Sequence, residues 1–317
     1  MGPYALRRVI LLVPTLLGLT FFAFGVLHLA PGDPATEYLR RTTDAQPTPA
    51  AIAATRRELG LDRPLVEQYV SWLGGAVRGD LGISYGSRRP VAQELRHRVE
   101  ATVELAVPAA ALALLVAVPV GVLSAVYRNR LVDQVVRIVS LAGASVPGFW
   151  LALLLMLLFA VRLSLVDVAG REHLSSAVLP AVTLALPPAA LMSRFTRSAM
   201  LDALGAEYVR TERAKGVRER TVVGYHALRN ALVPVVTTFG NALGHLVAGT
   251  VVIETIFAWP GLGKLTIDAI QQRDYPMLQG VVLFAGAAFV AINLVVDLTY
   301  GVIDPRIRLG RPLTGQA

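Results

Sequence analysis

Six long apolar segments alternate with charged ones along this chain, and none of the six contains a formally charged residue. They cover residues 9–30, 105–127, 138–161, 174–193, 230–253 and 275–296. A helix needs about 20 residues to cross the hydrocarbon core of a bilayer. Open strands would leave backbone groups unpaired in lipid, so each segment is predicted to be a helix. The pattern predicts an all-α membrane protein with six transmembrane helices.

The composition agrees with a membrane protein, because 54% of the 317 residues are hydrophobic and only 16% are charged. Cysteine is absent, which excludes disulfides and thiolate metal sites. Arg7 and Arg8 precede the first apolar segment, as in a signal peptide. That segment is as long as a membrane span, however, and no small-residue cleavage site follows it. It is therefore predicted to be a retained helix.

Arg and Lys are concentrated in alternate short loops, which predicts the orientation in the membrane. With the N-terminus in the cytoplasm, the basic residues of 7–8, 128–137, 194–229 and 306–311 lie inside, and both termini are cytoplasmic. The net charge of +8 is therefore interpreted as a topology signal in a multi-pass protein of the cytoplasmic membrane. Nucleic acid is not expected as a partner, because no basic helix carries interleaved aromatic residues.

These assignments divide the chain into an N-terminal tail and first helix (1–30), an extracytoplasmic cap loop (31–99), a five-helix core (100–303) and a cytoplasmic tail (304–317). Within the cap, Pro64 suits the start of a helix, and Leu65, Tyr69, Trp72 and Leu73 follow at helical spacing. This amphipathic helix is expected either to pack on the bundle or membrane surface, or to contact a soluble partner.

Proline recurs inside the apolar segments, at Pro14, Pro108, Pro119, Pro147, Pro180, Pro187 and Pro188. Each proline removes a backbone donor and tends to kink its helix. Bent helices suit a moving bundle, although static membrane proteins contain kinked helices too. The prolines therefore favour transport only modestly over a structural role.

Few polar side chains interrupt the spans, and the candidates for lining a pore are Asn241, His245 and Asn293. His245 is the one ionisable group near the middle of a span, and pairing with a neighbouring helix explains it as well as a pore does. Transporters coupled to ions usually carry ionisable groups at mid-membrane depth. Their scarcity argues against a self-sufficient secondary transporter or channel, which stays as an alternative.

Motifs for catalysis, metal binding or nucleotide binding are missing from the sequence. HExxH does not occur, and residues 143–147 lack the final glycine of a nucleophile elbow. Gly263 and Lys264 look like the end of a phosphate loop, but Ala258 and Leu265 stand where that motif needs Gly and Ser or Thr. An intramembrane enzyme is therefore disfavoured, and the energy for uphill transport would come from another polypeptide.

A charged stretch at 207–234, between two apolar segments, is the strongest candidate for a docking surface. The pattern predicts a helix, a left-handed turn at Gly216 and a second helix. The predicted packed faces are Leu201, Leu204 and Tyr208 in the first helix, and Val222, Tyr225, Leu228 and Leu232 in the second. Such a loop would dock on a protein, or would bind anionic headgroups through its arginines.

Residues 208–216 (YVRTERAKG) and 226–234 (HALRNALVP) resemble the cytoplasmic EAA loop of permease subunits of binding-protein-dependent ABC importers, in the dipeptide, oligopeptide and nickel branch. Further similar motifs are LRRVILLVPTLLG at 6–18, LAPGDP at 29–34, LGLDRPL at 59–65, RGDLG at 78–82, SVPGFW at 145–150 and ETIFAWPGLGKL at 254–265. The resemblance covers nearly the whole chain. The motifs at 6–18 and 29–34 look like those of the B-type permease.

The resemblance implies a type I importer permease fold with an EAA coupling loop at 199–229, seated in a cleft of a cytoplasmic ATPase subunit. The implied ATPase-coupling residues are Glu207, Tyr208, Arg210, Thr211, Glu212, Ala214, Lys215, Gly216, His226 and Arg229. The sequence departs from the family at Glu212, where Ala is typical, and in the outer segment 170–177, which is shorter than usual. Glu212 is expected to pair with Lys215 on the same helix.

Partners also follow from the resemblance: a second homologous permease in a heterodimer, two ATP-binding cassette domains, an extracytoplasmic binding protein and membrane lipid. This chain would hold no cofactor, because ATP and Mg²⁺ would bind to the ATPase subunits. The expected substrates are dipeptides or oligopeptides. Glutathione-like solutes and nickel chelates are alternatives that the sequence does not separate from them.

Overall fold

The computed structural model describes residues 2–29, 32–42 and 46–303, and these residues are predominantly helical. The helices are α1 (Gly2–Leu29), α2 (Pro34–Thr42), α3 (Pro49–Glu58), α4 (Leu65–Ala76), α5 (Val91–Val126), α6 (Leu131–Ser145), α7 (Gly148–Leu155), α8 (Val178–Gly205), α9 (Glu207–Ala214), α10 (Glu219–Thr221), α11 (Leu228–Ile256), α12 (Leu262–Gln272) and α13 (Tyr275–Ile303). Two π-helical turns, Met156–Arg162 and Val222–Ala227, and a 3-10 turn, Leu174–Ala177, complete the helical structure. The described chain contains no strand, so the all-α prediction is confirmed; the tail 304–317 lies outside the described residues.

Four stretches of the described chain are long and apolar enough to cross a membrane as single helices: Ile10–Leu29, Val91–Val126, Ser175–Gly205 and Tyr275–Val295. Each contains most of one predicted segment. The second begins well before residue 105, so α5 extends from the apolar region into what the sequence assigned to the cap. The predicted segment 230–253 lies within α11.

The predicted span 138–161 corresponds to a sharply bent pair of helices and not to one straight helix. Helix α6 begins earlier, at Leu131, and ends at Ser145, and α7 continues at an angle of 101°. Val146 is extended (φ −74°, ψ 125°) because the ring of Pro147 disfavours a helical residue before it. Pro147 then precedes the first residue of α7. The SVPGFW motif is therefore the corner of a broken helix.

Other prolines leave their helices uninterrupted. Pro14 lies inside α1, Pro108 and Pro119 lie inside α5, and the adjacent Pro187 and Pro188 lie inside α8. Neighbouring helices in a bundle can accommodate the freed carbonyl groups, so proline is tolerated there more readily than in soluble helices. Helical structure therefore breaks at Pro147 but continues through these five prolines.

Helix α8 lies in the middle of the bundle, where it packs against α5, α6 and α11. Small side chains fill the contacts, including Ala109, Ala113, Ala185 and Ala189, all of which are buried. A Cβ atom added at Gly121 would lie 2.5 Å from the Cβ of Thr196, so α5 and α8 approach closely at that level. Close packing of this kind holds helices together in a membrane. Lipid tails are as apolar as the side chains, so moving a side chain from lipid into a helix contact gives no hydrophobic stabilisation.

Hydrogen bonds attach the cap to the bundle, among them those of Tyr69 and of Asp274. In α4, the Tyr69 hydroxyl lies 3.0 Å from Thr20 Oγ1 and donates to the Leu17 carbonyl oxygen of α1. The buried carboxylate of Asp274, just before α13, accepts hydrogen bonds from the Ser84 hydroxyl and from the Gly86 N–H at 3.0 Å. Helix α4 thus packs on the bundle, which is one of the two arrangements expected from the sequence. Leu65 of its predicted apolar face is nevertheless 52% exposed.

Candidate functional site

The coupling loop (residues 199–229) includes the last turns of α8, and a sharp break separates them from α9. Ala206 is extended (φ −71°, ψ 152°), and its N–H bonds to the Ala203 carbonyl. Helix α9 starts at the next residue, Glu207, in a new direction. Its first turn carries Glu207, whose negative charge suits the positive end of the helix dipole. The break makes α9 a separate short helix rather than an extension of the bundle.

Gly216 ends α9 in the way that the sequence predicted. Its φ of +77° is left-handed, a conformation that glycine adopts without the steric cost of a Cβ atom. The Gly216 N–H bonds to the Arg213 carbonyl, and the Val217 N–H bonds to the Glu212 carbonyl. These two bonds form a Schellman motif, and the half-buried Val217 closes it with an apolar contact. A Cβ atom at Gly216 would meet nothing within 4 Å, so backbone conformation and not crowding requires glycine here.

Two ion pairs brace the loop, and one of them crosses this turn. Arg213 Nε donates to Glu219 Oε2 at 3.0 Å, which ties α9 to α10. Lys215 Nζ donates to Glu212 Oε1 at 2.8 Å, so the pair that the sequence predicted is confirmed. The hydrogen bond from Arg213 lowers the pKa of Glu219, and the one from Lys215 lowers the pKa of Glu212. Both carboxyls therefore stay ionised at neutral pH, and the loop presents charge in fixed places.

Beneath its charged surface, the coupling loop packs on a small apolar core. Val209, Val222 and Ala227 are fully buried against Met200 of α8 and Ala125 at the end of α5. The predicted faces were partly wrong, because Tyr208 and Tyr225 are 39% and 58% exposed. The break at Ala206 rotates α9 relative to α8, so Val209 instead of Tyr208 continues the packed side. The π-helical turn Val222–Ala227 shifts the second face in the same way.

The surface of the loop holds the predicted coupling residues. Exposed positions are Glu207, Tyr208, Arg210, Thr211, Ala214, Lys215, Gly216 and Arg229, and half-buried ones are Glu212 and His226. Ala214 and Gly216 offer little side chain between the charged groups, so a partner could approach the backbone closely. The arrangement is suited to protein contact, because small exposed residues lie between charged groups whose positions are braced.

A buried ion pair fastens α8 to the neighbouring helices just before the loop. Asp133 of α6 has no exposed surface, and its Oδ1 and Oδ2 atoms accept from Arg197 Nε at 2.7 Å and Arg197 Nη2 at 2.8 Å. Asp133 also accepts from Ser124 Oγ (2.6 Å) and from the Asn129 N–H (2.9 Å). Sequence inspection missed this pair. Its signal was the acidic residue in the first turn of a largely apolar helix.

Another buried carboxylate lies near the start of α5, away from the coupling loop. It belongs to the corner between α11 and α12 (residues 254–265). Glu254 has no exposed surface; its Oε1 accepts from Thr102 Oγ1 at 2.7 Å, and its Oε2 accepts from the Lys264 N–H at 3.0 Å. The Trp259 indole N–H donates to the Ala101 carbonyl at 2.8 Å. Thus the ETIFAWPGLGKL motif folds back on α5. Its Gly263 belongs to helix packing, since a Cβ there would lie 2.4 Å from Val251 Cα.

Comparisons with known proteins decide the family. Residues 117–309 match the family described as "Binding-protein-dependent transport system inner membrane component", and residues 1–106 match the family of its N-terminal region. The dipeptide transport system permease protein DppB of Escherichia coli K12 is 41% identical over 96% of this chain and 98% of its own length. The glutathione transport system permease protein GsiC of Pectobacterium atrosepticum is 43% identical with the same coverage.

The chain belongs to this family of inner-membrane transport components. It is a multi-pass membrane permease of an ABC importer, a transport component rather than a catalytic one. The fold agrees, because the structure of the MetNI methionine ABC transporter in an inward-facing conformation superposes with a TM-score of 0.56. That match is 19% identical and covers 66% of this chain and 96% of the other. A second crystal form of the same transporter gives 0.57.

Of the predicted pore-lining residues, Asn293 lies in the described part of the structure with its side chain. Asn293 is half-buried in α13, and its Nδ2 donates to the Phe289 carbonyl at 2.9 Å, within its own helix. The side chains of Asn241 and His245 lie outside the described part of the structure. Among the described residues, no group of three or more His, Cys, Asp or Glu could hold a metal ion.

Proposed function

We propose that this permease forms half of the pore of an ATP-driven, binding-protein-dependent importer for short peptides. The coupling loop carries the proposal, because most of its predicted ATPase contacts are exposed on a segment that is braced internally by ion pairs and a small core. Permeases of a dipeptide system and a glutathione system are similarly related to this chain. Glutathione is itself a short peptide, so peptide chemistry is what the two relatives share.

Six spans with both termini in the cytoplasm complete the proposed topology. The four apolar helices supply four spans, and the bent pair α6–α7 counts as one broken span. Helix α11 supplies the sixth, since it contains an uncharged segment of span length. The concentration of basic residues around the coupling loop supports its cytoplasmic placement.

The proposed assembly contains a second homologous permease, two ATP-binding cassette domains that supply ATP and Mg²⁺, and an extracytoplasmic binding protein. The coupling loop would occupy a cleft on one ATPase domain. The cap, held to the bundle through Tyr69 and Asp274, is the proposed seat of the binding protein. Asn241, His245 and Asn293 remain proposed pore residues.

Motion of the ATPase domains would reach the pore through α8. The loop's apolar core joins it to the ends of α5 and α8, and the Asp133–Arg197 pair joins α8 to the α5–α6 corner. A displaced loop would therefore carry these helices along as a unit. The corner at Glu254 holds the other end of α5, so the helices would tilt rather than slide.

Transport in reconstituted liposomes tests this function. The chain is assembled with its second permease, ATPases and binding protein, and uptake of a labelled dipeptide and of labelled glutathione is measured with and without ATP. The proposal expects uptake of at least one peptide that requires both ATP and the binding protein. Uptake by this chain alone, driven by an ion gradient, would instead establish the secondary transporter.

A further inference from the structure

A groove between α6 and α8 combines two arginines with an apolar wall. It has a volume of about 370 Å³ and is lined by Gln134, Arg137, Ile138, Leu141 and Arg194. It lies close to the coupling loop but shares no residue with the loop's predicted contacts. The groove takes no part in the proposed transport mechanism.

Contacts between the two helices define how the arginines are placed relative to each other. Asp133 bonds to Arg197, Ser140 lies 2.8 Å from Ser193, and a Cβ at Gly143 would lie 3.3 Å from the Cβ of Ala190. The numbering rises along α6 as it falls along α8, so the helices are antiparallel. In this register Arg137 and Arg194 stand at the same level, one turn away from the neutralised Asp133–Arg197 pair.

The charge of these two arginines is uncompensated within the part of the chain that the structure describes. No ion pair joins either guanidinium to a carboxylate there, and the nearby Asp133 is already occupied by Arg197. Two like charges at the edge of an apolar region repel each other unless an anion lies between them. The groove is therefore complementary to a negatively charged group.

The wall beside the arginines favours an anion that carries a hydrocarbon chain. Ile138 and Leu141 are 68% and 57% exposed, and they extend from Arg137 toward the middle of α6. Leu191, one turn from Arg194 on α8, is 44% exposed. The cations thus stand at one end of an apolar surface. A carboxylate from a second subunit would satisfy the charge but would not need this wall.

We propose that the groove binds an anionic phospholipid, with the phosphate between Arg137 and Arg194 and an acyl chain along Ile138 and Leu141. Basic pockets between transmembrane helices at the cytoplasmic side are suited to such headgroups. The lipid would neutralise the arginine pair beside the joint that fastens α8 to α6. The proposal rests on the membrane location of the chain and not on its transport activity.

Native mass spectrometry of the intact membrane complex tests the proposal. The complex is equilibrated with equal amounts of phosphatidylglycerol and phosphatidylcholine, and the retained lipid is identified. We expect Arg137→Gln/Arg194→Gln to reduce retained phosphatidylglycerol about tenfold. Arg128→Gln/Arg130→Gln removes the same charge from the adjacent loop without touching the groove, and it is expected to change retention by less than about twofold.

One further variant and one titration separate lipid binding from loss of assembly and from binding of a free anion. Ile138→Glu leaves both arginines in place and adds an internal counter-ion, so it is expected to displace the lipid even if the double glutamine variant assembles poorly. Inorganic phosphate is titrated against the lipid-free complex to test for a free-anion site. Equal lipid loss in the groove and control variants, equal retention of both lipids, or retention of phosphate with no lipid preference would each overturn the proposal.

Discussion

The coupling loop and the corner at residues 254–265 use charge in opposite ways. In the loop, the side chains of Arg213 and Glu219 are 42% and 58% exposed and bond to each other at the surface. In the corner, Glu254 is fully buried and bonds to Thr102 and to the Lys264 backbone. Exposed pairs contribute little to folding, whereas a buried carboxylate with matched donors fixes the backbone around it. The loop thus keeps its charged groups at the surface, whereas the corner uses its carboxylate to order the buried backbone.

The Asp133–Arg197 pair fastens α8 to α6 just before the coupling loop, and breaking it should have the largest effect. Asp133→Ala leaves Arg197, Ser124 and the Asn129 N–H without their acceptor, so we expect a loss of about 3–5 kcal/mol in unfolding free energy. Thermal unfolding of the purified permease measures it. Arg197→Lys, which keeps one charge contact, should cost less. Equal stability of Asp133→Ala and wild type would show that the pair does not hold the joint.

Glu254→Ala should rank second. It leaves the Thr102 hydroxyl and the Lys264 N–H unpaired inside the corner, at a cost of about 2–4 kcal/mol. Glu254→Gln retains one acceptor oxygen and a similar volume, so its cost should be smaller. The same unfolding experiment compares the two. A glutamine variant as unstable as the alanine variant would mean that the negative charge matters more than the hydrogen bonds.

Gly216→Val tests the coupling loop through its backbone. A side chain at φ +77° costs about 1–2 kcal/mol and should disrupt the end of α9. Gly216→Asn is the matched control, because asparagine tolerates this conformation and no neighbour blocks its Cβ. We expect substrate-stimulated ATPase of the assembled complex to fall in the valine variant and to persist with asparagine. Unchanged stimulation in a normally assembled valine complex would contradict the coupling role.

The smallest effect is expected for Glu219→Gln, which breaks the exposed pair with Arg213. We expect a loss below about 1 kcal/mol in unfolding free energy at pH 7. Because the hydrogen bond from Arg213 lowers the pKa of Glu219 from its ordinary 4.5, the stabilisation is complete above that value and disappears as the pH falls through the lower, folded-state pKa. The unfolding free energies of the variant and the wild type should therefore differ at pH 7 and become equal at acid pH. A difference that persists in acid would assign the effect to something other than ionisation.

Much of the coupling loop could be predicted from the sequence. Gly216 ended a helix as expected, since glycine is the residue that adopts a left-handed conformation freely. The Glu212–Lys215 pair also formed, because positions three apart on a helix are neighbours. The packed faces failed at Tyr208 and Tyr225, where a break and a π-helical turn changed the helical period. Neither irregularity has a marker as plain as glycine.

The broken helix α6–α7 shows the same limit. Pro147 indicated a kink, but Pro108 and Pro119 lie inside an unbroken helix. Proline removes one donor wherever it occurs, and the packing around it decides whether the helix continues. The buried carboxylates were missed for a related reason. Asp133 meets Arg197 from a position 64 residues away, and Glu254 meets Thr102 from 152 residues away, so no local pattern announces either contact.

By itself, the sequence determined the helical class, the membrane location and the charged surface of the coupling loop, because each follows from local composition and from the cost of unpaired backbone in lipid. Its motifs also determined the family. Tertiary structure alone decided where α6 turns, which side of α9 is buried, and which buried carboxylate meets which donor. These depend on distances between helices that are far apart in the chain. It likewise placed Arg137 beside Arg194, a juxtaposition created by the antiparallel packing of α6 and α8.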